Sequence, residues 1–263
     1  TFEILQGMRH LDGETALKYA RSRHTTSDFS RSARQQQILA AMAKKVKEEG
    51  LATDAGFLTK MVQSLSRNVE STMSLREMIG LAELGRDIDR EKIITMQLND
   101  RNALYDGFIE PGGFLYTPPR NLFDGAAVLL PVSIPEFPVS WRQPQALSKL
   151  LFGTRSLYLA PITINVLNNG GPSGAARRLA TELIRYGFDV EEIANADLPE
   201  KQESSVIFSG TEEYTVSADF FATLLQIPSG TKPEALPADQ VNTITIILGR
   251  DYDYQPLQNF LTE

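Results

Sequence analysis

Residues 162–174 read Ile162-Thr163-Ile164-Asn165-Val166-Leu167, then Asn168-Asn169-Gly170-Gly171-Pro172-Ser173-Gly174. The first six are mostly β-branched and apolar, the types that fit a pleated, buried surface. The next seven are turn formers punctuated by glycine and proline. Residues 175–186 then place Ala176, Leu179, Ala180, Leu183 and Ile184 on one helix face, and Gly187 stops the helix. Strand, tight turn and amphipathic helix in that order open a βα unit. Further along, Val190 to Ala194 and Ser205-Val206-Ile207-Phe208 predict two strands, and Phe220 to Leu225 predicts a second helix. Thr243-Ile244-Thr245-Ile246-Ile247-Leu248-Gly249 predicts a last strand. The order βαββαβ describes a small domain over residues 159–254, expected to fold by itself, with a sheet for the two helices to cover.

The glycine turn invites a phosphate-binding reading, because a Gly-rich turn before a helix aims backbone N–H groups at an anion. Its sequence fits neither the P-loop, which needs Lys-Ser/Thr, nor the dinucleotide fingerprint, and Pro172 removes one donor. It reads as a structural βα turn.

Moving toward the N-terminus, Pro135, Pro138 and Pro144 interrupt regular structure, while Trp141, Leu147, Leu150 and Leu151 are apolar. Residues 139–158 are therefore expected to be a docked linker between the 159–254 domain and a first domain over 1–138. In that first domain, helices are expected at 13–23, 28–49, 54–66 and 74–85. Asp12, Ser27 or Asp28, and Ser74 are their candidate caps, and Gly50 is a stop. Ile93 to Leu98 and Ala126 to Val132 are the expected strands. The class is α/β: the second half of an incomplete α/β/α sandwich, followed by the βαββαβ domain.

The 263 residues suit one large or two ordinary domains, and 42% hydrophobic content supports packed cores. With no cysteine, disulfides, zinc thiolates and thiol nucleophiles are excluded. His10 and His24 are the only histidines, too few for a His-rich metal site, and neither sits in a hydrolase nucleophile motif. Asp87, Asp89, Asp251 and Asp253 read as solvated surface. The net charge of −7 argues against general nucleic-acid binding. The charge is uneven, however: residues 1–47 hold nine Lys and Arg against four Asp and Glu. No apolar run approaches the roughly 20 residues that span a bilayer.

The basic segment is Ala20-Arg21-Ser22-Arg23-His24, then Ser27-Asp28-Phe29-Ser30-Arg31-Ser32-Ala33-Arg34-Gln35-Gln36. Arginines on a helix are ordinarily a solvated face or weak surface pairs. Here Arg31, Arg34, Gln35 and Ile38 recur at helical spacing, on the stripe of the apolar positions. A cation aimed at a core needs a counter-charge, and Asp28 is the one acid nearby. The guanidinium fork suits carboxylate or phosphate, so an external anion is expected to complete the site.

Leu11-Asp12-Gly13-Glu14, Ala16-Leu17, Tyr19-Ala20-Arg21-Ser22-Arg23, Asp28-Phe29, Arg31 and Arg34-Gln35 together resemble the LytR-CpsA-Psr family of bacterial cell-envelope proteins. The resemblance implies an enzyme that takes a glycopolymer from polyprenyl pyrophosphate and attaches it to peptidoglycan at the extracytoplasmic face of the membrane. It implies Arg21, Arg23, Arg31, Arg34 and Gln35 as pyrophosphate-binding residues, with Asp28 orienting an arginine. In the family a long stretch precedes this motif and carries a membrane anchor, further arginines and acidic residues linked to a divalent metal such as Mg²⁺. The sequence begins at Thr1 without it. The chain is thus expected to be a fragment, without the metal ligands and inactive in transfer. A non-catalytic envelope-binding or regulatory protein of the attenuator type is the alternative. Val166-Leu167-Asn168, Gly174-Ala175-Ala176, Gly187-Phe188-Val190 and Leu248-Gly249-Arg250-Asp251 resemble the LytR C-terminal domain.

Overall fold

The computed structural model describes residues 4, 7, 9–22, 28–68, 70–86, 89, 92–104, 107–132, 139–236 and 242–261. It is an α/β chain that divides into two compact units, residues 1–93 and 94–263.

The first unit holds four described helices: α1 (Gly13–Arg21), α2 (Asp28–Glu48), α3 (Ala55–Asn68) and α4 (Leu75–Arg86). Each starts or stops where its sequence signals require. The Asp12 carboxylate accepts the Thr15 N–H at 2.7 Å and caps α1. Gly50 adopts φ 65° beyond α2, a conformation that costs glycine nothing. Asp54 accepts the Phe57 N–H at 2.7 Å before α3. Ser74 and Glu77 form a reciprocal capping box on α4: the Glu77 carboxylate accepts the Ser74 N–H at 2.7 Å, and Ser74 Oγ accepts the Glu77 N–H at 3.3 Å. The apolar stripes of these helices stay largely uncovered. Leu39, Met42, Leu81 and Leu84 are each at least 60% exposed, and no described residue of this unit is fully buried.

The second unit contains β1 (Leu115–Tyr116), β2 (Leu130–Pro131), α5 (Arg142–Gly153), α6 (Arg155–Leu159), β3 (Thr163–Asn168), α7 (Ala175–Arg185), β4 (Val190–Asn195), β5 (Val206–Ser209), α8 (Thr215–Leu225), β6 (Thr243–Leu248) and α9 (Leu257–Leu261). From β3 to β6 this is the βαββαβ order expected from the sequence. The sheet runs β4-β3-β6-β5, with β3 parallel to both neighbours and β5 antiparallel to β6. β6 is central and buried at all six positions, which its unbroken apolar and β-branched run anticipates. Leu179, Ala180 and Leu183 of α7 and Phe221 of α8 pack with Ile164, Val166, Ile244 and Ile246 in one core.

The glycine turn after β3 is consumed by its own neighbours. Asn168 Nδ2 donates to the Gly171 and Pro172 carbonyls at 3.2 and 3.1 Å, and the Gln202 N–H donates to the Asn169 carbonyl at 2.9 Å. Gly170 has φ 138°, and a Cβ there would stand 2.7 Å from the Gln202 carbonyl oxygen. Its glycine is required by backbone approach.

Three sequence expectations need correction. Residues 139–158, read as a linker, hold α5 and α6, and Ala146, Leu147, Leu150 and Leu157 enter the main core. Pro144 does not break α5, because it occupies the first turn, where N–H groups have no helical partner. Residues 93–98 form no strand: the backbone that follows is spent on loop bonds, Asn99 N–H to Gly112 O at 2.9 Å and Leu115 N–H to Asn99 O at 2.9 Å. Of the 126–132 run, Leu130 and Pro131 pair with Tyr116 and Leu115, and Val132 makes a single antiparallel bridge to Val139. Phe114 from this region is fully buried and meets the Tyr186 ring edge-on at 5.0 Å.

A buried ion pair within α7 is tied to the start of α9. Glu182 and Arg185 are 1% and 3% exposed and meet at 2.7 Å, and the second Glu182 oxygen accepts the Leu257 N–H at 3.0 Å. The added backbone bond meets part of the desolvation demand of such a pair.

Candidate functional site

The arginine segment folds as the end of α1 and most of α2, and these two helices pack on each other. The last carbonyls of a helix have no partner within it and carry the negative end of its dipole. α2 supplies the partners. Arg34 donates through Nε to the Tyr19 carbonyl at 3.2 Å and through Nη2 to the Ser22 carbonyl at 2.5 Å. Its guanidinium carbon also lies 5.9 Å from the centroid of the Tyr19 ring. Gln35 donates to the Ala20 carbonyl at 3.5 Å, and the Tyr19 hydroxyl donates to Gln37 Oε1 at 2.9 Å.

Arg34 and Gln35, expected as anion ligands, are therefore seen holding the C-terminus of α1. Arg31 stands one turn before Arg34 on α2 and is half-buried, while Arg21 is exposed in the last turn of α1. Arg23 and His24 lie outside the described residues, and so does the side chain of Asp28. Tyr19 and Gln37 were missed as partners in this contact. The available signal was the pairing of a helix end with donors at 34 and 35 and an acceptor at 37, but spacing alone does not say which groups they reach.

Near the start of α1, bonds from Thr15 hold the Asp12 carboxyl below the ordinary aspartate range. Glu14 and Lys18 form an exposed pair at 2.6 Å, four residues apart. Among the described residues no three His, Cys, Asp or Glu side chains gather as a metal ion requires. No described helix is long and apolar enough to cross a membrane.

Comparisons with known proteins bear on the same stretch. Residues 1–111 match the LytR_cpsA_psr family, and residues 161–252 match the family described as LytR cell envelope-related transcriptional attenuator. The chain is 30% identical over 120 residues to the polyisoprenyl-teichoic acid–peptidoglycan teichoic acid transferase TagV of Bacillus subtilis strain 168, covering 45% of this chain and 27% of TagV. It is 36% identical over 78 residues to TagT of the same organism, a transferase of the same description, covering 30% and 23%. It is 29% identical over 105 residues to an uncharacterized protein of Staphylococcus aureus strain NCTC 8325 / PS 47, covering 40% and 25%. The matches span about a quarter of the length of these relatives. No solved structure matches the chain. The chain thus carries a segment of the LytR-CpsA-Psr family over residues 1–111, followed by a LytR C-terminal domain over residues 161–252.

Proposed function

We propose that α1 and α2 bind the pyrophosphate of a polyprenyl-linked glycan, as part of a transferase that passes the glycan to peptidoglycan at the extracytoplasmic face of the bacterial envelope. The observation that carries this reading is the clasp of α2 on the end of α1. Arg34 anchors the two helices, and beside that anchor α2 carries the half-buried Arg31 while α1 ends on Arg21. The chemistry suits arginine. As the glycan leaves, negative charge gathers on the pyrophosphate, and pre-positioned guanidinium groups stabilise it without reorganising.

In this reading Arg21, Arg23 and Arg31 contact the anion. Arg34 and Gln35 are positioning residues that hold the helix end from which Arg21 projects. The names of TagV and TagT, transferases from a polyisoprenyl-linked teichoic acid to peptidoglycan, support the donor and acceptor classes. The attenuator description of the second family finds no support in charge, since the chain is at −7 overall.

Calorimetric titration with a short-chain polyprenyl pyrophosphate tests the site. Arg31→Ala removes a charge-assisted contact of about 1.5–3 kcal/mol, roughly ten- to a hundredfold in affinity. Arg31→Lys restores only part, because an ammonium cannot form the bidentate fork. Unchanged affinity in Arg31→Ala rejects the reading.

A further inference from the structure

The second unit contains a cavity that the pyrophosphate reading does not use. It is a half-open groove of about 950 Å³, lined by α5, α8, α9 and the loop 251–255. That lies within the range of about 300–1,000 Å³ usual for small-molecule sites. We propose that this groove binds a neutral oligosaccharide.

The lining carries the argument. A sugar presents pairs of hydroxyls at its edge and a flat C–H surface on its face. Planar polar side chains, able to donate and accept in one plane, match the hydroxyl pairs, and aromatic rings match the C–H face. One rim of the groove is a connected run of planar groups. Arg142 Nη2 donates to Asn259 Oδ1 at 3.2 Å, Asn259 Nδ2 to Gln255 Oε1 at 3.3 Å, and Gln255 Nε2 to Asp253 Oδ2 at 3.1 Å. Each bond orients the next group, so the rim is pre-organised rather than loose. Asp251 is held in the same way: its Oδ1 accepts the Ser205 N–H and O–H, both at 2.7 Å. Phe220, Tyr252 and Phe260, each half-buried, add aromatic surface to the lining.

Gln226 points the same way. It caps the C-terminus of α8 at φ 55°, a left-handed position where glycine is the unstrained choice. The chain carries a glutamine there instead, and the glutamine lines the groove.

Charge selects among ligands. The lining holds two cations, Arg142 and Lys149, and two anions, Asp251 and Asp253, so the groove carries no net charge to attract a polyanion. Its polar rim disfavours a purely apolar ligand. A neutral, hydroxyl-rich chain meets both conditions. The groove lies wholly within residues 142–261, so this inference stands or falls independently of the arginine site.

The test uses the full chain. Trp141, the only tryptophan, is 61% exposed and adjoins the rim residue Arg142 in sequence, so its fluorescence is one readout and the NMR signals of the rim amides are the second. The probes are chitotetraose and maltotetraose, with inorganic polyphosphate and an acidic peptide as controls. The expected result is a saturable fluorescence change with a neutral tetrasaccharide, together with shifts of the Asn259 and Gln255 side-chain amide signals in NMR spectra. Arg142→Ala and Gln255→Ala replace exposed residues, and circular dichroism verifies their folds. Each weakens binding about tenfold, as the loss of a hydrogen bond or two requires. The proposal is overturned if neither saccharide gives a saturable change, if polyphosphate or the peptide binds more tightly, or if both folded variants bind like the parent.

Discussion

Arg34 shows how one side chain takes on a role that its type does not announce. A guanidinium has five N–H donors, and two are spent on the Tyr19 and Ser22 carbonyls. Those carbonyls sit where a helix dipole ends, so a cation is favoured there even without a ligand. Arg34→Ala is expected to lower the stability of the α1–α2 pair by about 1–2 kcal/mol. Hydrogen bonds from a charged group contribute about 1.5–3 kcal/mol, discounted here because the guanidinium is only half-buried. Hydrogen exchange of the amides in the last turn of α1 measures it. In Arg34→Lys one bond survives and protection falls less. If protection in Arg34→Ala matches the parent, the positioning role is wrong. Pyrophosphate titration of the same variants separates this role from that of Arg31, whose loss should weaken binding while leaving α1 protected.

At the scale of the element, helices in the first unit are defined by their ends more than by their buried faces. Asp12, Asp54 and Ser74 with Glu77 satisfy first-turn N–H groups, while Leu39, Met42 and Leu84 remain in water. Helices held by exposed caps are sensitive to cap protonation. The Asp12 and Glu77 carboxyls both lie below their ordinary ranges, chiefly through hydrogen bonds from Thr15 and Ser74. A carboxyl depressed in the folded state binds fewer protons there than in the unfolded chain, so stability rises with pH. Their contribution is fully present above the unfolded values of about 4 and is lost as pH falls through the folded ones. Helical circular dichroism followed from pH 6 to 2 is therefore expected to fall at the acid end. Asp12→Asn keeps a capping oxygen but does not titrate, so the fall should be smaller in that variant. An acid transition unchanged in Asp12→Asn removes Asp12 from the account.

Across the whole molecule, the core of the second unit draws on more chain than the βαββαβ run. Phe114, Leu147, Leu150 and Leu157 come from before residue 159 and join the cluster built on Ile164, Leu183 and Phe221. Each buried leucine removed from such a core costs about 2–5 kcal/mol. Residues 94–263 expressed alone are expected to give a dispersed amide spectrum. Residues 159–254 alone, which the sequence suggested as a domain, are expected to give a poorly dispersed one. Equal dispersion and equal urea midpoints for the two segments would show that the earlier region adds nothing.

What the sequence determined by itself is whatever depends on neighbours along the chain. The four helices of the first unit, the Asp12 and Ser74 caps and the βαββαβ order are legible because a 3.6-residue or two-residue period and a capping side chain act within a few residues. Asp54 as a cap went unread, and the expected Ser27 or Asp28 cap lies outside the described residues. The arginine cluster was visible for the same reason. The strand order β4-β3-β6-β5, the conversion of 139–158 from linker to core helices, and the absence of a strand at 93–98 were decided in three dimensions. In each case the outcome turned on which distant backbone or apolar surface a segment met, as when Gly112 rather than another strand received the Asn99 N–H. The partners of Arg34 belong to the same class. Composition says that a guanidinium seeks oxygen, and only the packing of α2 on α1 decided that the oxygens are Tyr19 and Ser22 carbonyls, because hydrogen bonds are short and directional while sequence spacing is neither.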